Sequence, residues 1–112
     1  MNLIKIFVSG IASLGFVLVS TATVDAKPIK IGDINSYKRL PAHTIPYKQG
    51  VLLALEQINE KGGVLGGRKL ELISRDDQGK PGEAVKIAEE LFQREGVVMI
   101  SGSLFSHIGL AL

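Results

Sequence analysis

Residues 46–77, PYKQGVLLALEQINEKGGVLGGRKLELISRDD, decide the fold. Tyr47, Val51, Ala54, Leu55 and Ile58 recur at helical spacing and form one apolar stripe. Pro46 suits a first helical turn, where a missing N–H costs nothing. The helix is expected to stop near Lys61, because Gly62 and Gly63 accept the left-handed backbone of a C-terminal cap. Gly66 and Gly67 predict a second tight turn. Lys69–Ser74 then reads as a strand that runs into the paired acids Asp76 and Asp77.

The flanking segments repeat this logic. Pro28–Ile34 reads as a short strand with Ile29 and Ile31 on one face, and Asn35–Ile45 as a loop that carries Pro41 and His43. Pro81 opens a second helix whose stripe is Ala84, Val85, Ala88, Leu91 and Phe92. Glu83 in its first turn and Arg94 in its last complement the helix dipole, and Gly96 caps it. Val97–Ile100 is an unbroken apolar run, as in a strand buried on both faces. Ser101-Gly102-Ser103 turns into a third helix. The order β-α-β-α-β-α predicts an α/β fold with a parallel sheet and right-handed crossovers.

The first 26 residues are set apart. One lysine, an apolar run over residues 6–19 and Val24-Asp25-Ala26 before Lys27 make a secretory signal peptide, followed by a folded segment at 27–112. An uncleaved anchor fits less well, since a spanning helix needs about 20 apolar residues. The chain has no cysteine, so an exported product folds without disulfides and carries no lipid on a cysteine. A periplasmic location follows as the expectation. Net charge is +2 with the basic residues scattered, which argues against a nucleic-acid partner. Ser106–Leu112 reads as the opening of a helix inside which the chain ends, so an N-terminal piece of a longer domain is expected.

Few motifs carry chemistry. The run Gly62–Gly67 follows a helix and opens a strand, the reverse of a dinucleotide-binding loop, and reads as turn chemistry. Ser106 and His107 are sequence neighbours on a helix start and cannot face each other as nucleophile and base. No catalytic residue, metal site or cofactor is expected. Asp76 and Asp77 are read as hydrogen-bonding the turn and the start of the second helix, with a metal or phosphoryl role as the alternative. Ser103 and Ser106 lie where a strand's carboxyl end meets a helix start, a position that suits an anion. An N-cap role for Ser106 is the competing reading.

From Lys30 to Leu112 the chain resembles the leucine/isoleucine/valine-binding proteins, the periplasmic solute receptors of branched-chain amino acid ABC transporters. The resemblance rests on KIGDINSY (30–37), the stretch from Tyr47 to Val85, and GSLFSHIGLAL (102–112). It implies strand order 2-1-3 and an incomplete N-terminal lobe of a two-lobed, type I periplasmic binding protein. It implies that Ser106 holds a ligand's α-carboxylate, with Ser103, Leu104, Phe105 and His107 beside it and Asn35 and Tyr37 walling the pocket. His107, Ile108 and Gly109 stand where many members carry serines or threonines. The implied ligand class therefore widens to small amino acids, amides or carboxylates, presented to an inner-membrane ABC permease. A ligand-sensing receptor domain of the same fold and an α/β enzyme are the alternatives. N-terminal sequencing of the exported product is expected to begin at Lys27; a retained Met1 in the membrane fraction contradicts the signal-peptide reading.

Overall fold

A computed structural model of the protein describes residues 26–112, so the expected signal peptide lies, but for Ala26, outside the described residues. Three parallel strands form one sheet in the order β2-β1-β3. They are β1 (Ile29–Asn35), β2 (Leu70–Asp76) and β3 (Met99–Gly102). Helix α1 (Pro41–Glu60) joins the first two strands. Helix α2 (Pro81–Glu90), extended by a π-helical turn at Leu91–Glu95, joins the second and third. A short helix α3 (Ser106–Gly109) follows. The strand order and α/β class are those expected from the sequence.

Strand β1 is central, pairing Ile29–Asn35 with Leu70–Asp76 on one side and Ile31–Ile34 with Met99–Gly102 on the other. Strand alternation sends Gly32 and Ile34 to the face covered by α2. There Ile34, Ala84, Ile87, Leu91, Val97 and Ile108 make the buried core, with Ile73, Ala88, Ile100 and Phe105 packed against it. Gly32 is small because Leu91 crosses it: a methyl group there would sit 3.0 Å from Leu91 Cδ1 and 3.3 Å from Ile100 Cγ1. The opposite face carries Asp33 between its register partners Ser74 and Ser101, and α1 lies over that face, with the Tyr47 hydroxyl 2.7 Å from Ser101 Oγ. Asn59 then clamps the end of α1 to β2, donating to Leu70 O and accepting from Leu70 N, each at 2.8 Å. The helices thus lie on opposite faces, as two right-handed crossovers that run out and back require.

The glycine turns form as the sequence predicts. Gly62 and Gly63 have φ of 104° and 78°, Gly66 and Gly67 of 80° and 96°. At Gly63 a side chain is excluded outright, since its first carbon would lie 2.2 Å from Arg68 O. Gly96, in the left-handed region at φ 70°, closes the second helix.

Two expectations are corrected. Helix α1 starts at Pro41, not Pro46, so residues 41–45 are helical rather than loop. Pro46 lies in the helix interior, where its ring removes a hydrogen bond and crowds the carbonyl four residues back, at a cost of about 3 kcal/mol. Anchors on either side offset this: Thr44 is buried with its hydroxyl on Leu40 O, and Tyr47 is held by Ser101. The second correction concerns β3, which begins at Met99 rather than Val97. Val97 turns inward straight after Gly96 and is buried, while Val98 and Met99 are 62 % and 49 % exposed. The exposed apolar surface at this strand therefore lies at Val98 and Met99 rather than at Val97.

Leu91 touches both the strand and the helix layers and is fully buried. Leu91→Ala is expected to lower the unfolding free energy by about 2–5 kcal/mol in urea titrations followed by circular dichroism. A change below about 1 kcal/mol would place the core elsewhere.

Candidate functional site

The loops at the carboxyl ends of the strands are built by local hydrogen bonds. After β1 the chain enters Ser36, whose buried hydroxyl donates to Asp77 Oδ1 at 2.5 Å. The same oxygen accepts Gly79 N at 2.8 Å, and Asp77 N donates to Asn35 O at 3.0 Å. Asp76 accepts Gln78 N at 2.9 Å with one oxygen and Lys38 N at 3.3 Å with the other. The paired acids therefore shape their own turn and also fasten the β1–α1 loop to the end of β2. Arg39 lies across Gly79, leaving no room for a side chain there.

Tyr37 folds back so that its hydroxyl donates to Asp33 Oδ2, and the Lys48 ammonium sits 5.3 Å from the centre of its ring. Burial, then the bond to Asp33 and the charge of Asp33, push the Tyr37 phenol well above its ordinary value. Asp33 itself is fully buried; its Oδ1 has no hydrogen-bond partner among the described residues.

On the other side, Gly102 and Ser103 both have left-handed backbones, with φ of 103° and 68°. Gly102 has no alternative: a first side-chain carbon would lie 2.4 Å from Ile34 O and 2.7 Å from Asp33 Oδ1. The turn is held by Ser103 N on Ile34 O at 2.7 Å and Leu104 N on Asn35 Oδ1 at 3.1 Å. The buried Asn35 side chain thus binds the loop after β3 to the end of β1.

Between these loops lies an open cleft of about 110 Å³ lined by Asn35, His43, Thr44, Tyr47, Gly102 and Leu104. It lies outside the carboxyl ends of β1 and β3, where open α/β sheets take ligands. Of the residues expected at a site, Asn35 and Leu104 line it. Ser103 is adjacent, half-buried, with its hydroxyl turned toward Gly109 rather than into the cleft. Phe105 is half-buried against the core, and it rather than Ser106 is the N-cap of α3. Ser106 and His107 are exposed on the first turn of α3, the His107 ring lying 5.5 Å from that of Phe105. Tyr37 is engaged with Asp33. Sequence reasoning missed His43, Thr44, Tyr47 and Gly102 as cleft residues. The available signal was Pro41: taken as the helix start, it puts His43 in the first turn and Tyr47 one turn on. Among the described residues no cluster of three or more His, Cys, Asp or Glu could hold a metal ion.

A family model described as periplasmic binding protein matches residues 28–112. The chain belongs to this family. It is a type I periplasmic binding protein of the leucine/isoleucine/valine group. A relative from Brucella abortus, "Leu/Ile/Val-binding protein homolog 4", is 29 % identical over 102 residues, covering 89 % of this chain and 24 % of the relative. Among solved structures, the substrate-binding protein LivJ from Streptococcus pneumoniae in complex with isoleucine matches with a TM-score of 0.68 at 27 % identity. That match covers 75 % of this chain and 24 % of LivJ. A branched-chain amino acid transporter protein from Rhodopseudomonas palustris matches with a TM-score of 0.65 at 30 % identity, over 74 % of this chain and 23 % of that one. The chain thus spans about a quarter of the length of the curated relatives it matches. Those relatives are binding proteins, and the family's lobe is the setting in which the cleft should be read.

Tyr37 offers a direct check of the loop geometry. Its phenol is expected to ionise above free tyrosine in an NMR-monitored titration, and Asp33→Asn to bring it back toward about 10. Because the folded value is raised, the stabilisation is complete below about pH 10 and is lost as pH climbs through the folded value, where only the unfolded chain gives up its proton. An unshifted Tyr37 would mean that the loop does not fold back onto Asp33.

Proposed function

We propose that the chain provides part of the solute-capturing surface of an ABC-transporter substrate-binding protein. The observation that carries this is the cleft at the carboxyl ends of β1 and β3 in a chain of the periplasmic binding protein family. At about 110 Å³ the cleft is smaller than the roughly 300–1,000 Å³ that enclose a small ligand, so it serves as one wall of a site closed by a second surface. The solute is a small amino acid, amide or carboxylate, held without chemical change and passed to an inner-membrane permease. The signal peptide at 1–26 delivers the protein to the periplasm. No helix among the described residues is long and apolar enough to cross a membrane, which is compatible with that route.

Within this reading Ser106 meets the ligand's carboxylate from the first turn of α3, with Ser103, Leu104, Phe105 and His107 as its neighbours and Asn35 and Tyr37 on the facing loop. Its support is position. Ser106 is exposed, its hydroxyl makes no cap bond, and it follows the Gly102–Ser103 turn that forms one edge of the cleft. Calorimetric or NMR titration with isoleucine, leucine and small amides tests the binding role. Ser106→Ala is expected to weaken isoleucine binding about 10- to 100-fold, the effect of losing one hydrogen bond to a charged group, while the melting temperature stays almost unchanged. Equal affinity in the two proteins would remove Ser106 from the site.

A further inference from the structure

The solute-binding reading leaves four buried polar atoms without a partner among the described residues, Asp33 Oδ1, Ser74 Oγ, Asp77 Oδ2 and Ser103 Oγ, and of the two carboxylates Asp33 is the one that abuts Gly102 at the cleft. Asp33 is fully buried, and among the described residues no ion pair includes it. Tyr37 satisfies Oδ2, and Oδ1 has no partner among the described residues. A buried carboxylate with no counter-charge is costly, and such sites call for a positive partner.

Its position points to where that partner comes from. Asp33 Oδ1 lies directly behind the cleft floor, since a methyl group on Gly102 would come within 2.7 Å of it. Asn35, two residues further along the strand, lines the cleft, as does Gly102. Tyr47, a third lining residue, is bonded to Ser101, the register partner of Asp33 on β3. Two lining residues, Gly102 and Tyr47, therefore adjoin Asp33 or its register partner. Lys48 lies over the Tyr37 ring, and no ion pair among the described residues includes Asp33. His43 stands on the exposed first turn of α1 at the rim. A charge shielded from water acts across a low-dielectric wall far more strongly than one in solvent.

We infer that Asp33 gives the cleft a negative floor that selects ligands carrying an ammonium group over ligands that are purely anionic. It is a specificity-determining residue that acts by its field through the floor. This rests on the solute-binding reading and narrows its ligand class to zwitterions and amines.

The test uses the full chain, isotope-labelled, titrated at millimolar ligand with three probes on one carbon skeleton. They are isoleucine, its decarboxylated amine 2-methylbutylamine, and its deaminated acid 3-methylpentanoate. The amine is expected to bind about ten-fold more tightly than the acid, with shifts at His43 and Tyr47. Asp33→Asn, which keeps an acceptor for Tyr37, is expected to bring amine and acid to parity. The preference is read first on the unmodified chain, so the inference remains testable if Asp33→Asn does not fold. Acid binding as tightly as amine to the unmodified chain overturns the inference while leaving the solute-binding reading intact. Absence of binding by all three probes overturns the solute-binding reading and this inference with it.

Discussion

The buried hydrogen bond from Ser36 to Asp77 is the constraint on which the functional end of this molecule depends. Loops at the carboxyl ends of parallel strands have no ladder to hold them, and their backbone groups need partners from elsewhere. Here two consecutive acids at the end of β2 supply those partners for both their own turn and the loop after β1. That loop sets where Tyr37 folds back and where Pro41 can begin α1. The start of α1 in turn places His43, Thr44 and Tyr47 along the cleft. A carboxylate at position 77 therefore governs side chains that it never touches.

How much of this was legible depended on whether the deciding physics was local. The glycine pairs, Pro81 and Gly96 act through their own φ angles, so their turns and caps could be read directly. Strand order came from the family resemblance, and crossover handedness then put the two helices on opposite faces. The start of α1 was misread because Pro41 and Pro46 both satisfy the first-turn rule. What decides between them is tertiary: the burial of Thr44 and the bond between Tyr47 and Ser101, partners 54 residues apart. The cleft was half legible for the same reason. Asn35 at the end of β1 and Leu104 in the loop after β3 were reached through the family resemblance, whereas His43 and Tyr47 required the correct helix start. Asp33 was invisible as anything but a strand residue, because its meaning lies in an unpaired oxygen behind Gly102.

The surface repeats the message of the core. In the order β2-β1-β3 both outer strands are sheet edges, and an edge with exposed apolar side chains invites wrong pairing. Val98 just before β3, Met99 at its start, Leu52 and Leu53 on α1, and Phe92 after α2 are all about half exposed or more. The family's members are some four times as long as the stretch matched here. Under the proposed solute-capturing role, the open cleft and these exposed apolar side chains belong to the same partly covered lobe.

Charge distribution gives that half-site a direction. In the proposed site, one edge is the turn from Gly102 to Ser106, where the exposed Ser106 hydroxyl suits a carboxylate. On the floor, the negative charge inferred for Asp33 repels one. The two are close neighbours, since Ser103 follows Gly102 and Gly102 abuts Asp33. A solute carrying both charges meets favourable interactions in one orientation only, and an anion without an ammonium has no orientation that avoids the floor. Alignment of that kind needs no enclosure, because it comes from groups fixed by the strands and their tied loops before any second surface closes. The loop tie at Asp77 thus reaches the ligand through geometry and the charge at Asp33 through its field, and both depend on β1 ending where Asn35 binds the loop after β3.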